Sequence, residues 1–121
     1  MRLVVPAMPE FLRLARVTAA GLASRLGFTF DQVEDLRLAI DELCYGLTGT
    51  HGRPGGTVDV RYVIGDDSLE VEGHGRFDGD HRNVELTELS QVILAALVDE
   101  HELTDASEGP RFRLLKRRAQ A

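Results

Sequence analysis

Residues 74–81 bring together four side chains of the types that bind divalent metals. His74, Asp78, Asp80 and His81 lie within this one glycine-rich stretch. Imidazole nitrogens and carboxylate oxygens are common ligands of zinc and similar ions. Their spacing matches no metal motif, however, and a polar loop with scattered ligand types is the simpler interpretation. A metal site is therefore a hypothesis for this stretch, and no metal is expected.

Cys44 is the only cysteine, so the chain forms neither an intramolecular disulfide nor an all-cysteine metal site. No basic residue stands near it in the sequence to lower its thiol pKa, so we expect a small core residue rather than a nucleophile. A lone cysteine suits a reducing compartment. The N-terminus also lacks a signal-peptide pattern, and a cytoplasmic location is expected.

Length and charge narrow the classes of function. A chain of 121 residues and 13.4 kDa predicts a single domain, residues 1–121. Its net charge of −6 disfavours binding to nucleic-acid phosphates and to anionic membranes. The longest apolar stretch, residues 92–98, is far shorter than the roughly 18–20 residues of a membrane span. A protein or a small ligand is the expected partner.

Two helices are predicted in the first half of the chain. The first begins at Glu10 and ends at Gly27, and the second begins after Thr29, which can form a capping box with Gln32. The predicted core positions of the first helix are Phe11, Leu14, Ala15, Thr18, Leu22 and Leu26. Those of the second are Val33, Leu36, Ile40, Leu43 and Leu47.

Strands and a third helix account for most of the remaining chain. Strands are predicted at residues 2–5, 57–64, 68–72, 102–106 and 111–115. The core side of the second strand is Val58, Val60, Tyr62 and Ile64. A helix is predicted at residues 86–97, with apolar positions Leu86, Leu89, Ile93, Ala96 and Leu97. Residues 73–83 are predicted to be a loop, and residues 116–121 a tail without order.

This order of elements predicts an α+β fold. We expect a two-layer α/β sandwich, with an antiparallel or mixed sheet of about five strands and three helices on one face. The uncovered face of the sheet is expected to be polar.

The element order, together with LRLAIDELCYGL on the second helix and LEVEGHG at residues 69–75, resembles the GHKL (Bergerat-fold) histidine-kinase-like ATPase superfamily. Within it, the small bacterial anti-sigma-factor serine kinases are the most similar branch. The resemblance spans nearly the whole chain. It implies ATP and magnesium as cofactors, and a sigma factor or an anti-sigma antagonist as partner. It also implies sigma-binding and homodimer surfaces near the first helix, where Arg13, Arg16 and Arg25 lie.

In that family the second helix carries a catalytic acid, followed four residues later by an Asn that ligates the magnesium of ATP. The resemblance places Asp41 at the acid position and Tyr45 at the Asn position. A phenol, with a pKa near 10, is a poor magnesium ligand. A shift of one residue gives Glu42 with Gly46, which lacks the Asn as well. Asp41 is then either a catalytic base or a solvated acid, and Tyr45 either stacks on adenine or fills an empty pocket.

The family's D-x-G-x-G motif corresponds to Val71, Gly73 and Gly75. Valine cannot accept the adenine hydrogen bond that the family's Asp accepts. The two glycines either let the backbone approach a nucleotide or mark a strand end and turn. The junction that cradles phosphates in the family corresponds to residues 83–90, which contain no glycine.

Three functions remain open. The favoured one is an anti-sigma-like regulator that binds a protein, has a degenerate ATP site and is not an enzyme. The alternative is an active serine/threonine kinase that uses Asp41, for which Asn83 is the only asparagine available. A sensor that holds an uncharged small molecule near Tyr45 and Val71 is the third.

Overall fold

Eight elements follow one another along the chain in this computed structural model, which describes residues 1–78, 86–106 and 108–119. The strands are β1 (Arg2–Pro6), β2 (Thr57–Ile64), β3 (Ser68–Arg76), β4 (Glu100–Ala106) and β5 (Gly109–Arg117). The helices are α1 (Pro9–Arg25), α2 (Phe30–Thr48) and α3 (Glu88–Leu97). Among the described residues, no helix is both long and apolar enough to cross a membrane.

The strands form one antiparallel sheet in the order β1-β2-β3-β5-β4. On the helix side of the sheet, buried β2 residues face buried β3 residues, as Val60 faces Gly73 and Tyr62 faces Val71. The predicted α+β sandwich is therefore confirmed, and of the two sheet types left open the antiparallel one is present. β1 lies at an edge, where Pro6 costs no ladder hydrogen bond.

Helix α2 is the central helix of the second layer. Thr29 Oγ1 accepts from the Gln32 backbone N–H, and the Gln32 side chain accepts from the Thr29 N–H, so the predicted capping box is confirmed. All five predicted core positions of α2 are buried against the sheet and α1. Cys44 is buried beside them, as expected.

The predicted core face of α1 is confirmed only in part, because Ala15 is buried and Leu22 and Leu26 pack against the core. Phe11 and Leu14 are exposed, while the buried positions are Leu12, Ala15, Ala19 and Ala23. Three alanines at intervals of four form a flat, narrow face that allows close packing of two helices. In α1 the small alanine side chains are buried, whereas the larger Phe11 and Leu14 are exposed.

The core face predicted for α3 is also confirmed only in part, because Leu86, just before the helix, and Leu97 pack against the core. Leu94 is its one fully buried residue, with Leu97 half-buried, whereas Leu89, Ile93 and Ala96 face solvent. In β2, Ile64 is likewise half exposed. These side chains were assigned to the core on periodicity alone.

The strands extend further than predicted at both ends of the β3–β5 pair. β3 continues through residues 73–76, which were predicted to be loop. β5 continues to Arg117, and the backbone N–H of Arg118 donates to the Asp67 carbonyl. The prediction of an unordered tail is wrong for residues 116–118, since Lys116 Nζ also donates to the Leu97 carbonyl at 2.6 Å.

Candidate functional site

The two neighbouring acids of α2 have different surroundings. Asp41 points towards α1, where its carboxylate accepts from the Arg16 guanidinium at 2.6 Å. Glu42 points towards α3, and its Oε1 accepts from the Ser90 hydroxyl at 2.5 Å. One residue turns a helix by about 100°, which explains the separation. Glu42, and not Asp41, faces the space between α2 and the start of α3.

The position one turn after Glu42 is packed by two leucines. A Cβ on Gly46 would lie 3.1 Å from Cδ2 of Leu103 on β4 and 3.3 Å from Cδ2 of Leu86, just before α3. A longer side chain would have to displace them. If Glu42 is the family's catalytic acid, Gly46 stands at the position of the magnesium-binding Asn. An Asn side chain would not fit there without rearrangement of the leucines.

Tyr45 does not fill a pocket. Its side chain is 57% exposed on the outer surface of α2, so the pocket-filling hypothesis is wrong for this residue. Its solvent exposure also removes one of the two contacts on which the small-molecule sensor hypothesis was based.

Val71, Gly73 and Gly75 are buried residues of β3 rather than parts of a turn. The interpretation of the two glycines as a strand end and turn is wrong, and neither has a positive φ. A Cβ on Gly73 would overlap the ring of Phe112 on β5, and one on Gly75 would meet the ring of Phe77. The absence of side chains here makes room for two phenylalanine rings.

The predicted metal-type ligands are only partly described. A ring nitrogen of His74 lies 3.0 Å from the Glu108 carbonyl oxygen, and Asp78 is exposed. Asp80 and His81 lie outside the described residues, as does Asn83. Within the described part of the chain, no three metal-type side chains cluster. The metal hypothesis for residues 74–81 stays untested.

An open groove of about 700 Å³ lies on the sheet face that the helices leave uncovered. Its lining includes Arg61, Glu72, His74, Arg76, Arg111 and Arg113. It is on the opposite side of the sheet from Asp41, Glu42 and Tyr45. Side chains of both signs line it in similar number, as expected for the polar face of the sandwich.

Sequence reasoning missed an ion pair at the edge of that face, between a buried carboxylate and the exposed Arg2. Asp59 is 5% exposed and accepts three hydrogen bonds of 2.6–3.0 Å from the Arg2 guanidinium. These bonds lower the pKa of Asp59, against the opposing effect of burial. Because Val4 on β1 is the cross-strand partner of Asp59, only the strand register brings Arg2 within reach.

Three further titratable groups with shifted pKa values are Glu70, Glu72 and Cys44. The hydrogen bond between Glu70 and Glu72 raises the pKa of Glu72 and lowers that of Glu70. Burial raises the pKa of the Cys44 thiol to about 12, which leaves it protonated and unreactive. None of the three groups lies between α2 and α3.

Comparison with known proteins identifies the family. Residues 5–116 match the family described as Histidine kinase-like ATPase domain. The chain belongs to this family. It is 36% identical over 111 residues to the serine-protein kinase RsbW of Bacillus subtilis (strain 168), and 34% identical over 110 residues to the RsbW of Bacillus velezensis. Each of these matches covers 87% of this chain and 64% of the relative.

A third relative, with lower sequence identity, has the same name as the first two. The serine-protein kinase RsbW of Halalkalibacterium halodurans is 28% identical over 124 residues, covering 88% of this chain and 76% of the relative. The chain thus spans less than two thirds of the length of the first two relatives. The recognised superfamily and the fold are both confirmed.

The family implies ATP and magnesium, and the side chains around Glu42 in residues 1–78 and 86–106 fit this pair poorly. Glu42 supplies a carboxylate, but Gly46 supplies no side-chain oxygen and is covered by Leu86 and Leu103. Tyr45 turns its phenol to solvent, and Val71 offers no hydrogen-bond acceptor. We therefore derive no chemical step through the nucleotide.

Proposed function

We propose that this chain is a regulatory domain of the anti-sigma kinase type that binds a protein partner without transferring phosphate to it. The partner class that the family suggests is a sigma factor or an anti-sigma antagonist. One observation carries the proposal: the residue one turn after Glu42 is a glycine, and the leucines of two other segments pack over it. A cytoplasmic location and a homodimer remain predictions that accompany this proposal.

The packing at Gly46 argues against a magnesium–phosphate complex on physical grounds. Magnesium prefers oxygen ligands in octahedral geometry and keeps several waters. The leucine side chains offer no oxygen and occupy the space into which a side chain at this position would extend. Buried Val71 adds to this, because the base would lose a hydrogen bond at the position where the family has an Asp.

The second candidate is an ATP-dependent serine kinase, and the comparisons favour it over the first. The three relatives described above are all named serine-protein kinases. The structure adds one supporting feature, since the Glu42 carboxylate is held towards α3 by Ser90 and is not neutralised by an ion pair among the described residues. Such a carboxylate is a reasonable general base.

Calorimetric titration with ATP and with ADP, each with magnesium, separates the two candidates. We expect no saturable heat up to about 5 mM nucleotide, which corresponds to binding weaker than about −3 kcal/mol. A micromolar Kd would overturn the proposal and support the kinase. The partner assay below does not depend on this result.

If nucleotide binds, two matched variants locate the catalytic acid. Glu42→Gln and Asp41→Asn remove the same charge from adjacent positions of one helix. If Glu42 is the catalytic acid, Glu42→Gln should abolish phosphate transfer from ATP, and Asp41→Asn should retain it. The reverse result would support the original assignment of Asp41.

A further inference from the structure

Helix α3 has a second apolar stripe, which the described part of the chain leaves exposed. Leu89, Val92, Ile93 and Ala96 stand at positions i, i+3, i+4 and i+7, which is the spacing of one helix face. Their three large side chains are 68%, 67% and 36% exposed. The inward face of the same helix is formed by Ser90, Leu94 and Leu97. An amphipathic stripe of this kind normally packs against another element.

The outer ridge of α2 continues this apolar surface. Leu38 and Tyr45 are 56% and 57% exposed, and they lie one turn before and one turn after Glu42. Because Glu42 bonds to Ser90, this ridge lies alongside the N-terminal half of α3. We call the surface formed by Leu38, Tyr45, Leu89, Val92 and Ile93 the α2–α3 face.

Negative charge is concentrated around the α2–α3 face. The segments Phe30–Thr48 and Glu88–Leu97 contain six acidic residues and one basic residue, a net charge of −5 out of the −6 of the whole chain. Three of the acids are neutralised, since Asp35 pairs with Lys116, Asp41 with Arg16 and Glu34 with Arg37. Glu88 in the first turn of α3 and Glu42, which accepts from Ser90 between the two helices, have no cationic partner among the described residues.

We propose that the α2–α3 face binds an amphipathic helix of a partner protein, with an apolar stripe bordered by lysine or arginine. An exposed apolar surface formed by two helices suits an amphipathic helix whose anchors recur at i, i+3, i+4 and i+7. Basic residues on the helix would find Glu42 and Glu88. The proposal rests on the proposed function and adds to it the chemistry of the partner segment.

The charge distribution disfavours the other occupants of such a surface. A second copy of this chain would bring two acidic faces together, which costs free energy at close range. An anionic lipid surface would be repelled for the same reason. The partner helix is thus distinguished by its positive charge as much as by its apolar stripe.

The test uses a fluorescent 18-residue helical peptide with leucine in a helical stripe and lysine elsewhere. A second peptide has the same composition with the leucines scrambled. Anisotropy is measured against the wild type and three variants: Val92→Ser on the stripe, Glu88→Lys at its border, and Val17→Ser as control. Val17 is a matched control because it is a helical valine, 57% exposed, on α1.

We expect the striped peptide to bind the wild type and Val17→Ser equally, and each of the other two variants at least fivefold more weakly. Equal binding of both peptides would show attraction by charge alone, and equal binding to all four proteins would show that the peptide binds elsewhere. Either result would overturn the proposal. The absence of binding would overturn it as well. Concentration-dependent self-association that Val92→Ser abolishes would assign the face to a second copy instead.

These outcomes are independent of nucleotide binding. If the peptide fails to bind while calorimetry detects no ATP, the α2–α3 proposal alone is wrong. If ATP binds with micromolar affinity, the proposed function is wrong whatever the peptide does.

Discussion

Replacement of Gly73 by alanine tests why this glycine is present. A Cβ at this position would overlap the Phe112 ring, which is 2% exposed and packed between β3 and the helices. The ring has to move, and overpacking of this kind costs about 1–3 kcal/mol. Alanine lowers the entropy of the unfolded chain, which offsets about 0.4–1 kcal/mol of that cost. We expect Gly73→Ala to lower the free energy of unfolding by about 1–2 kcal/mol.

Urea denaturation followed by circular dichroism measures this change. With a slope near 2 kcal/mol per M, the midpoint should fall by about 0.5–1 M. Gly21→Ala is the matched control, because a Cβ there meets nothing within 4 Å and the residue lies inside α1. It should raise stability by about 0.5–1 kcal/mol. If both variants are stabilised, the packing explanation for Gly73 is refuted.

Three further predictions concern single side chains. Tyr45→Ala should change the free energy of unfolding by less than about 0.5 kcal/mol in urea titrations, since the ring is exposed, and a loss of several kcal/mol would contradict its placement. Arg2 lowers the pKa of Asp59 below its usual value of 3.8, so the ionised form stabilises the fold above about pH 4 and this contribution fades as the pH falls further. The stability lost in Asp59→Asn should accordingly be largest near pH 7 and shrink below pH 4, and a loss independent of pH would count against the ion pair. Cys44, with its thiol pKa near 12, should react with a thiol reagent at pH 8 only after unfolding, and rapid reaction of the native protein would exclude burial.

The sequence predicted the features that depend on neighbouring residues. The Thr29–Gln32 capping box and the core face of α2 are local patterns, and both are present. The hairpin formed by β2 and β3 follows from alternation over a few residues. Family recognition was also possible, because element order and helix pattern span most of the chain.

The features that the sequence did not predict depend on contacts between distant segments. An amphipathic pattern shows that α3 has an apolar stripe, but not whether the fold or a partner covers it. The choice between Asp41 and Glu42 required knowledge of which helix each one faces. Likewise, the sequence suggested a turn at Gly73. The residue has to be glycine because the Phe112 ring, on another strand, occupies the space of a Cβ.

The most direct test of the central claim is an NMR titration of the isotope-labelled protein with magnesium and ATP. The claim is that the space beside Glu42 is packed by leucine side chains and does not hold a nucleotide. It predicts no saturable shift of the amide signals of Glu42, Gly46 and Gly73 up to about 5 mM ATP. Saturable shifts clustered at these three residues would contradict it and establish a working nucleotide site.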